Sequence, residues 1–317
     1  MMKTLRPVKP ARLTKGDLIG IVSPSSPIAD ASRVERGVRY LESLGYRVKV
    51  GNAVGKVHGY LAGTDEDRAR DLHEMFADRE VKAIICVRGG YGTPRLLSLL
   101  DFRLIVRNPK IFVGFSDVTA LQLALWRKCR LITFHGPMAG VEMANTIDAY
   151  TEEMFWRCVT SEKKLGQIRL PDEPQALSEI ERSVQGRLLG GNLALVVSLL
   201  GTRFQPDFTG SLLFLEEIGE EPYRVDRMLT QLRNASVFVK ANAMLLGQFT
   251  DCVPSDRSRP SFTVDEVLKE AARLFGKPVI AGLPFGHVPR KLTLPVGLPA
   301  RLNTKQPSLE FLESAVH

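Results

Sequence analysis

The sequence predicts a two-domain α/β protein whose larger, parallel-sheet domain precedes a smaller, β-rich one. Three observations support this. Apolar runs of strand length alternate with amphipathic helical segments through the first half, a polar proline-containing segment follows, and the second half is richer in strands and turns. A chain of 317 residues is long enough for two ordinary domains. We assign residues 1–160 to the first domain, 161–185 to a linker and 186–317 to the second domain.

The first half begins with the apolar run LIGIV, which ends in the turn residues SPSS. A helix is then predicted from the apolar spacing of Val34, Val38, Leu41 and Leu44, and Gly45 is a plausible stop signal. The short segment RVKVGN reads as a second strand. Thr64 and the acidic residues after it form a helix-start signal before TDEDRARDLHEMFAD continues as a helix.

Three further strands are predicted downstream, from the segments VKAIICV, KIFVGF and RLITFHG. The unbroken apolar character of VKAIICV indicates a strand buried on both faces. DVTALQLALWRK supplies a helix between the last two strands. Such alternation predicts a parallel sheet covered by helices, as in Rossmann-like and flavodoxin-like domains, and sites in such sheets lie at the carboxyl ends of the strands.

The second half has a different pattern, with many short apolar runs and only two clear helices. The helices are YRVDRMLTQLRN and TVDEVLKEAARLF, and the predicted strands are GRLLGG, SLLFLEE, AMLLGQF, PVIAGLPF and LTLPVGLPARL. We expect a small, barrel-like α+β unit.

Composition excludes several classes of protein. The chain is 44% hydrophobic and 25% charged, and it has no run of about 18 apolar residues that could span a membrane. Its basic start has no apolar segment typical of a signal peptide, so we expect a cytoplasmic protein without membrane association. The net charge of +8 is spread along the chain rather than clustered, which argues against nucleic-acid binding and fits an anionic small substrate.

Cysteine and histidine spacing gives no reason to expect a metal or a cofactor. The four cysteines contain no C-x-x-C pair, and the five histidines form no zinc motif. Free, buried thiols suit a reducing compartment.

The best local signal for chemistry is Gly114-Phe115-Ser116-Asp117, between an apolar strand and an amphipathic helix. A serine on a sharp strand-to-helix turn exposes its hydroxyl at the edge of the sheet, and the next N–H can bind an oxyanion. Spacing alone, however, favours an ordinary helix cap at Ser116 or Asp117, because the second glycine of the usual nucleophile turn is missing.

A glycine loop, Arg88-Gly89-Gly90-Tyr91-Gly92, follows the strand VKAIICV. It is a poor match to a dinucleotide fingerprint, because Arg95 stands where a third glycine would fall and the strand is not the first. The loop is either a structural turn or a site where backbone N–H groups approach an anion or oxyanion.

Two acidic residues, Glu216 and Glu217, end the apolar strand SLLFLEE, and His287 follows the strand PVIAGLPF. Taken singly, the glutamates could be a solvated acidic turn and the histidine a structural residue.

As an ordered set, these segments resemble the LD-carboxypeptidase family of serine peptidases, which also contains the microcin C self-immunity hydrolases. The resemblance runs nearly end to end. It is carried by GDLIGIVSPSSP, YLAGTDEDRARDL, IICVRGGYGTPRLL, GFSDVTALQLAL, FHGPM, GRLLGGNLALVVSLLGT, LFLEEIGEEPYRVDRMLTQL and PVIAGLPFGHVPRKLTLPVG.

The resemblance implies a catalytic triad of Ser116, Glu216 and His287, with no metal or cofactor. It also implies an oxyanion hole formed by the N–H groups of Asp117 and Gly90. The family often has Asp after the catalytic Glu, whereas this chain has Glu217. Because the family's catalytic carboxylate directly follows the apolar strand, we predict that Glu216 rather than Glu217 bonds the histidine. Strand alternation places them on opposite faces, so only one can do so.

Similar proteins remove the terminal D-alanine of cytoplasmic muropeptides during peptidoglycan recycling. The resemblance therefore implies a small peptide substrate with a free carboxylate and a homodimeric enzyme. Arg88, Gly89 and Tyr91 are candidate substrate-binding residues. Two alternatives are hydrolysis of peptidyl or aminoacyl adenylates, as in the immunity hydrolases, and a non-enzymatic ligand-binding protein.

Overall fold

The computed structural model describes residues 6–170, 174–178, 180–256 and 258–317. Two β-sheets flanked by helices organise these residues. The strands are β1 (Leu18–Val22), β2 (Arg47–Val50), β3 (Val81–Cys86), β4 (Ile111–Gly114), β5 (Thr133–His135), β6 (Gly166–Gln167), β7 (Gln175–Ala176), β8 (Ser183–Asn192), β9 (Ser211–Ile218), β10 (Ala243–Thr250), β11 (Val279–Ala281), β12 (Leu294–Val296), β13 (Pro299–Asn303) and β14 (Ser308–Phe311).

The helices connect these strands and cover the sheets. They are α1 (Ser32–Ser43), α2 (Asp65–Ala77), α3 (Thr93–Leu96), α4 (Phe102–Arg107), α5 (Thr119–Cys129), α6 (Ala149–Thr160), α7 (Leu193–Ser198), α8 (Pro222–Asn234), α9 (Val237–Lys240) and α10 (Val264–Phe275). No helix in the described ranges is both long and apolar enough to cross a bilayer.

The first sheet has the strand order β12-β5-β4-β3-β1-β2. The strands from β2 to β5 are parallel to their neighbours, and β12 joins β5 in antiparallel orientation. The apolar run that predicted a strand buried on both faces is β3, where Ile84 and Ile85 are fully buried. The expected α/β architecture is confirmed, because helices connect the successive parallel strands of this sheet.

Local signals in the first half fall where the sequence predicted them. Thr64 caps α2 in a capping box with Asp67, and Gly45 has a positive φ of 90° just after the end of α1. Helix α6 was not predicted. Its start signal is Asp148, whose carboxylate accepts hydrogen bonds from the N–H groups of Tyr150 and Thr151.

The second sheet has the order β6-β14-β13-β8-β9-β10-β11-β7. Its four central strands, β8 to β11, are parallel, and antiparallel strands flank them on both sides. The segment 161–185, which we assigned to a linker, contains β6, β7 and the start of β8. The second half also supplies β12 to the first sheet. The domain boundaries themselves remain predictions.

The two sheets meet where helix α5 of the first half packs against β8 and α7 of the second half. The N–H of Asn192, at the end of β8, donates to Thr119 Oγ1 at a distance of 3.0 Å. A Cβ on the neighbouring Gly191 would lie only 2.4 Å from the same oxygen, so the backbone of β8 can approach α5 this closely only because the residue is glycine. This contact brings the carboxyl ends of strands from both sheets to one region.

Candidate active site

Ser116 lies on a sharp turn between β4 and α5. It is the first residue of a 3₁₀ turn, Ser116–Val118, and its φ of 62° is in the left-handed region that non-glycine residues rarely adopt. A Cβ on Gly114 would lie 2.8 Å from Val118 Cγ1, so the turn needs glycine there. A strained, non-capping serine at this position is typical of a nucleophile turn rather than of a helix cap.

The glycine loop packs directly against this turn. A Cβ on Gly89 would lie 2.8 Å from Ser116 Cβ and 2.9 Å from Ser116 Oγ. Gly90 has a φ of 121°, and the N–H of Tyr91 donates to Ser26 Oγ at 3.0 Å. The loop is therefore held so that its backbone, rather than a side chain, approaches the Ser116 hydroxyl.

The side chain of Asp117 connects the glycine loop to the serine turn. Its carboxylate is almost fully buried and accepts a hydrogen bond from the N–H of Thr93 at 2.9 Å, while the Thr93 hydroxyl donates to the Asp117 carbonyl. Burial raises the pKa of this carboxyl above its ordinary value. Within the described residues, the N–H of Gly90 donates to no protein acceptor, and the N–H of Asp117 lies in the first turn of a helix, where N–H groups have no partner inside the helix.

His287 is held by the carboxylate that ends the apolar part of β9. Its Nδ1 lies 2.8 Å from Oε2 of Glu216, which is fully buried, while the His287 side chain is 17% exposed. Gly286, at φ 111°, has no room for a Cβ, which would lie 2.9 Å from the same carboxylate oxygen. The Thr250 hydroxyl donates to the His287 carbonyl at 3.2 Å, which adds a second anchor for the loop.

Glu217 points to the other face of the strand, as the alternation of side chains requires. Its carboxylate accepts hydrogen bonds from Asn192 Nδ2 at 2.8 Å, from the Ala194 N–H at 2.9 Å and from the Ile218 N–H at 2.9 Å. Burial raises its pKa. The histidine is therefore bonded by Glu216, while Glu217 holds the start of α7.

A cavity of about 440 Å³ is lined by both Ser116 and His287. Its lining consists of Ile28, Ala29, Asp30, Arg33, Arg88, Gly89, Gly90, Phe115, Ser116, Met138, Gly140, Val141 and His287. Tyr91 is outside this lining and half exposed, with its ring edge-on to Tyr60. A neighbouring cavity of about 390 Å³ shares Phe115, Val141 and His287 with the first.

Three residues near the site escaped the sequence reasoning. Arg33, on α1, lines the larger cavity. Lys291 is buried, pairs with Glu142 and places its Nζ 3.9 Å from the centroid of the Phe115 ring. Arg33 belongs to no motif that could have indicated its position, and Lys291 lies in the segment PVIAGLPFGHVPRKLTLPVG without a spacing that would have indicated its role.

The third, His135, stood in the quoted segment FHGPM but was given no role. Its ring is buried against Phe115 and Phe285, and neither ring nitrogen has a hydrogen-bond partner among the residues that the structure describes. Burial lowers its pKa to about 3, so the ring is neutral near pH 7.

This arrangement has the parts needed for nucleophilic acyl transfer: a strained serine, a histidine on the same cavity, a buried carboxylate behind it and free N–H groups beside the serine. In the described part of the chain, no group of three or more His, Cys, Asp or Glu side chains is arranged to hold a metal ion.

Comparison with known proteins gives two family matches and several relatives. Residues 19–136 match the LD-carboxypeptidase N-terminal domain, and residues 185–302 match the LD-carboxypeptidase C-terminal domain. The chain is 40% identical to a probable murein peptide carboxypeptidase of Bacillus subtilis (strain 168), over 94% of this chain and 92% of the relative. It is 30% identical to the microcin C7 self-immunity protein MccF of Escherichia coli, over 99% and 98%.

A solved structure of similar shape is the muramoyltetrapeptide carboxypeptidase of Oxalobacter formigenes. The TM-score is 0.80 at 34% identity, and the match covers 92% of this chain and 97% of the other.

Proposed function

The chain belongs to the LD-carboxypeptidase family, and from that premise we propose that it is a serine carboxypeptidase that removes the terminal D-alanine from murein tetrapeptides. One observation carries the proposal. Ser116 and His287 line the same cavity, and the buried Glu216 is hydrogen-bonded to Nδ1 of the histidine ring. That is the order of groups that a nucleophile, a general base and an orienting carboxylate require.

In the proposed mechanism, His287 is the general base. The hydrogen bond to Glu216 occupies Nδ1, so the neutral ring carries its proton there and Nε2 is free to accept the proton of the Ser116 hydroxyl. Glu216 then stabilises the imidazolium. Ser116 Oγ attacks the carbonyl carbon of the bond between the L-centre and D-alanine.

Negative charge that develops on the carbonyl oxygen would be stabilised by the N–H groups of Asp117 and Gly90. When the tetrahedral intermediate collapses, His287 returns its proton to the amine of D-alanine, which leaves. Water, deprotonated by the same histidine, then hydrolyses the acyl-enzyme and restores Ser116.

The substrate class is supported by the relatives whose names include murein peptide and muramoyltetrapeptide carboxypeptidase. A protein that acts on muropeptides in peptidoglycan recycling would work in the cytoplasm, and we propose that location. We also keep the homodimer that the family resemblance implied as a proposal.

A second candidate is hydrolysis of aminoacyl adenylate analogues, favoured by the match to the self-immunity protein over nearly the whole chain. An aromatic ring that could stack on adenine would support it. Among the residues lining the two cavities, Phe115 is the only phenylalanine, tyrosine or tryptophan, and Lys291 already covers one face of its ring. We therefore rank the peptide substrate first.

One assay separates the candidates. The purified protein is incubated separately with the tetrapeptide L-Ala-D-Glu-diamino acid-D-Ala, with the pentapeptide ending in D-Ala-D-Ala, and with an aminoacyl sulfamoyl adenylate, and products are followed by mass spectrometry. We expect release of D-alanine from the tetrapeptide and little cleavage of the pentapeptide, because one extra residue moves the scissile carbonyl by about 3.5 Å. Rapid cleavage of the adenylate alone would refute the recycling role.

A further inference from the structure

We propose that Arg33 and Arg88 form a subsite for the free carboxylate of the substrate, in the cavity that holds Ser116. Both arginines would contribute to the preference for an ionised terminus over an uncharged one. This inference rests on the proposed function, and it names the group by which that site recognises an exopeptidase substrate.

Among the described residues, the guanidinium groups of Arg33 and Arg88 have no anionic partner. Arg33 is half-buried, and it donates from Nε to the Gly140 carbonyl at 2.8 Å and from Nη2 to the Val141 carbonyl at 3.5 Å. Within the described ranges, neither it nor Arg88 lies in an ion pair with a carboxylate. A partly desolvated cation with only neutral acceptors gains most from an incoming carboxylate, to which Arg can donate two parallel hydrogen bonds.

Arg88 also donates only to backbone carbonyls, and it lines the cavity that contains Ser116. Its Nε donates to the Gly89 carbonyl at 3.2 Å and its Nη1 to the Pro27 carbonyl at 3.5 Å. Gly89 in turn lies against the Ser116 side chain. A carboxylate bound by Arg88 would thus lie close to the nucleophile, as a terminal carboxylate one residue beyond the scissile bond must.

The remaining charged groups near the cavity are already engaged. The Asp30 carboxylate accepts hydrogen bonds from the Ser32 N–H and hydroxyl and faces Arg36 at 3.4 Å, and these contacts lower its pKa. With Asp30 ionised, the two arginines still leave the lining with a surplus of positive charge.

Lys291, the other buried cation nearby, lines the neighbouring cavity rather than this one and is paired with Glu142. Its charge is compensated within the protein. The arginine pair, and not the lysine, is therefore the group left to bind an anion.

The test uses N-acetyl-L-lysyl-D-alanine and its C-terminal carboxamide as matched probes. Each probe is titrated against the initial rate at which a fluorophosphonate labels Ser116, and the probe concentration that halves this rate is taken as its apparent affinity. We expect the wild-type protein to bind the acid roughly 10- to 100-fold more tightly than the amide. In Arg33→Gln the acid should bind about tenfold more weakly, while binding of the amide should stay unchanged.

Two controls separate charge recognition from structural damage. Arg39→Gln removes an exposed arginine of the same helix that does not line the cavity, and it should keep the full preference for the acid. Because Arg33 also holds the carbonyls of Gly140 and Val141, a collapsed wall would weaken acid and amide alike. Equal loss for both probes in Arg33→Gln, or no preference in the wild-type protein, would overturn the subsite.

Tetrapeptide cleavage measured in parallel distinguishes this inference from the proposed function. Preference for the acid without cleavage would refute the substrate and keep the subsite. Cleavage without any preference would keep the substrate and refute the subsite.

Discussion

The serine turn (residues 114–118) and the histidine loop (residues 286–287) line one cavity, but different interactions hold them in position. Ser116 is positioned by backbone over a few residues, with a strained φ of 62° between Gly114 and Val118 and with Gly89 against its side chain. His287, which lies in a loop, is positioned mainly by a side-chain hydrogen bond to Glu216, a residue 71 positions away on β9.

This difference indicates which changes each region tolerates. The serine turn depends on backbone conformation, which a change of side chain at Ser116 itself leaves in place. The position of His287 depends on the buried Glu216 carboxylate and on the space that Gly286 leaves beside it. Substitutions at these residues should therefore alter catalysis by displacing the histidine.

The largest effect is expected from Ser116→Ala. Loss of the nucleophile should reduce kcat by on the order of 10⁴-fold or more. Folding should be retained, because alanine can occupy the same strained turn. Initial rates of D-alanine release and a urea unfolding curve measure the two outcomes. Activity within about tenfold of wild type would show that another residue is the nucleophile.

A second prediction concerns the adjacent carboxylates. Glu216→Gln should lower kcat by at least about 10²-fold, because His287 loses its charged partner. Glu217→Gln should affect kcat much less but should lower the free energy of unfolding by about 1–3 kcal/mol, since it disturbs buried hydrogen bonds to Asn192 and Ala194. Steady-state kinetics and denaturant unfolding of both variants give the ranking, and the reverse ranking would contradict the assignment.

A third prediction uses His135, whose ring lies between Phe115 beside the serine and Phe285 beside the histidine loop. Its pKa is lowered from 6.5 to about 3 on folding, so the neutral ring stabilises the fold above pH 6.5 and that stability is lost as pH falls toward 3. Between pH 7.5 and pH 5 the wild-type protein should lose about 2 kcal/mol through this residue.

His135→Phe removes the titrating group. Between pH 7.5 and pH 5, the free energy of unfolding of this variant should therefore fall by about 2 kcal/mol less than that of the wild-type protein. Urea unfolding at pH 7.5 and pH 5 measures the difference for both proteins. Identical pH dependence in the two would mean that His135 titrates normally in the folded state.

The smallest effect is expected from glycine substitutions near the histidine. A methyl group at Gly286 would lie 2.9 Å from Glu216 Oε2, so Gly286→Ala should displace the carboxylate and lower kcat by about tenfold. Gly282→Ala is the matched control, because Gly282 also has a positive φ, of 77°, but has open space around it. It should cost about 1 kcal/mol of stability and leave kcat unchanged. Equal kcat values for both variants would argue against a tightly packed histidine loop.

The first half of the fold was predictable because its signals are local. The alternation of apolar strands with amphipathic helices, and the cap at Thr64, follow from hydrogen bonding and burial within short segments. Helix α6 and the short strand β14 were missed. Strand β14 has only four residues, which is too short for a clear sequence pattern. It is extended because it pairs with β13.

The sequence by itself determined the parallel α/β half, the family resemblance and the three candidate triad residues. Only the tertiary structure decided that Glu217 bonds Asn192 and the start of α7, that Asp117 connects the glycine loop to the serine turn, and that Arg33 shares a cavity with Ser116. Helices and turns are specified by interactions a few residues apart. A cavity, in contrast, is lined by residues far apart in the chain, so these residues cannot be identified from sequence spacing. Arg33 and His287 line one cavity only because the two sheets pack together.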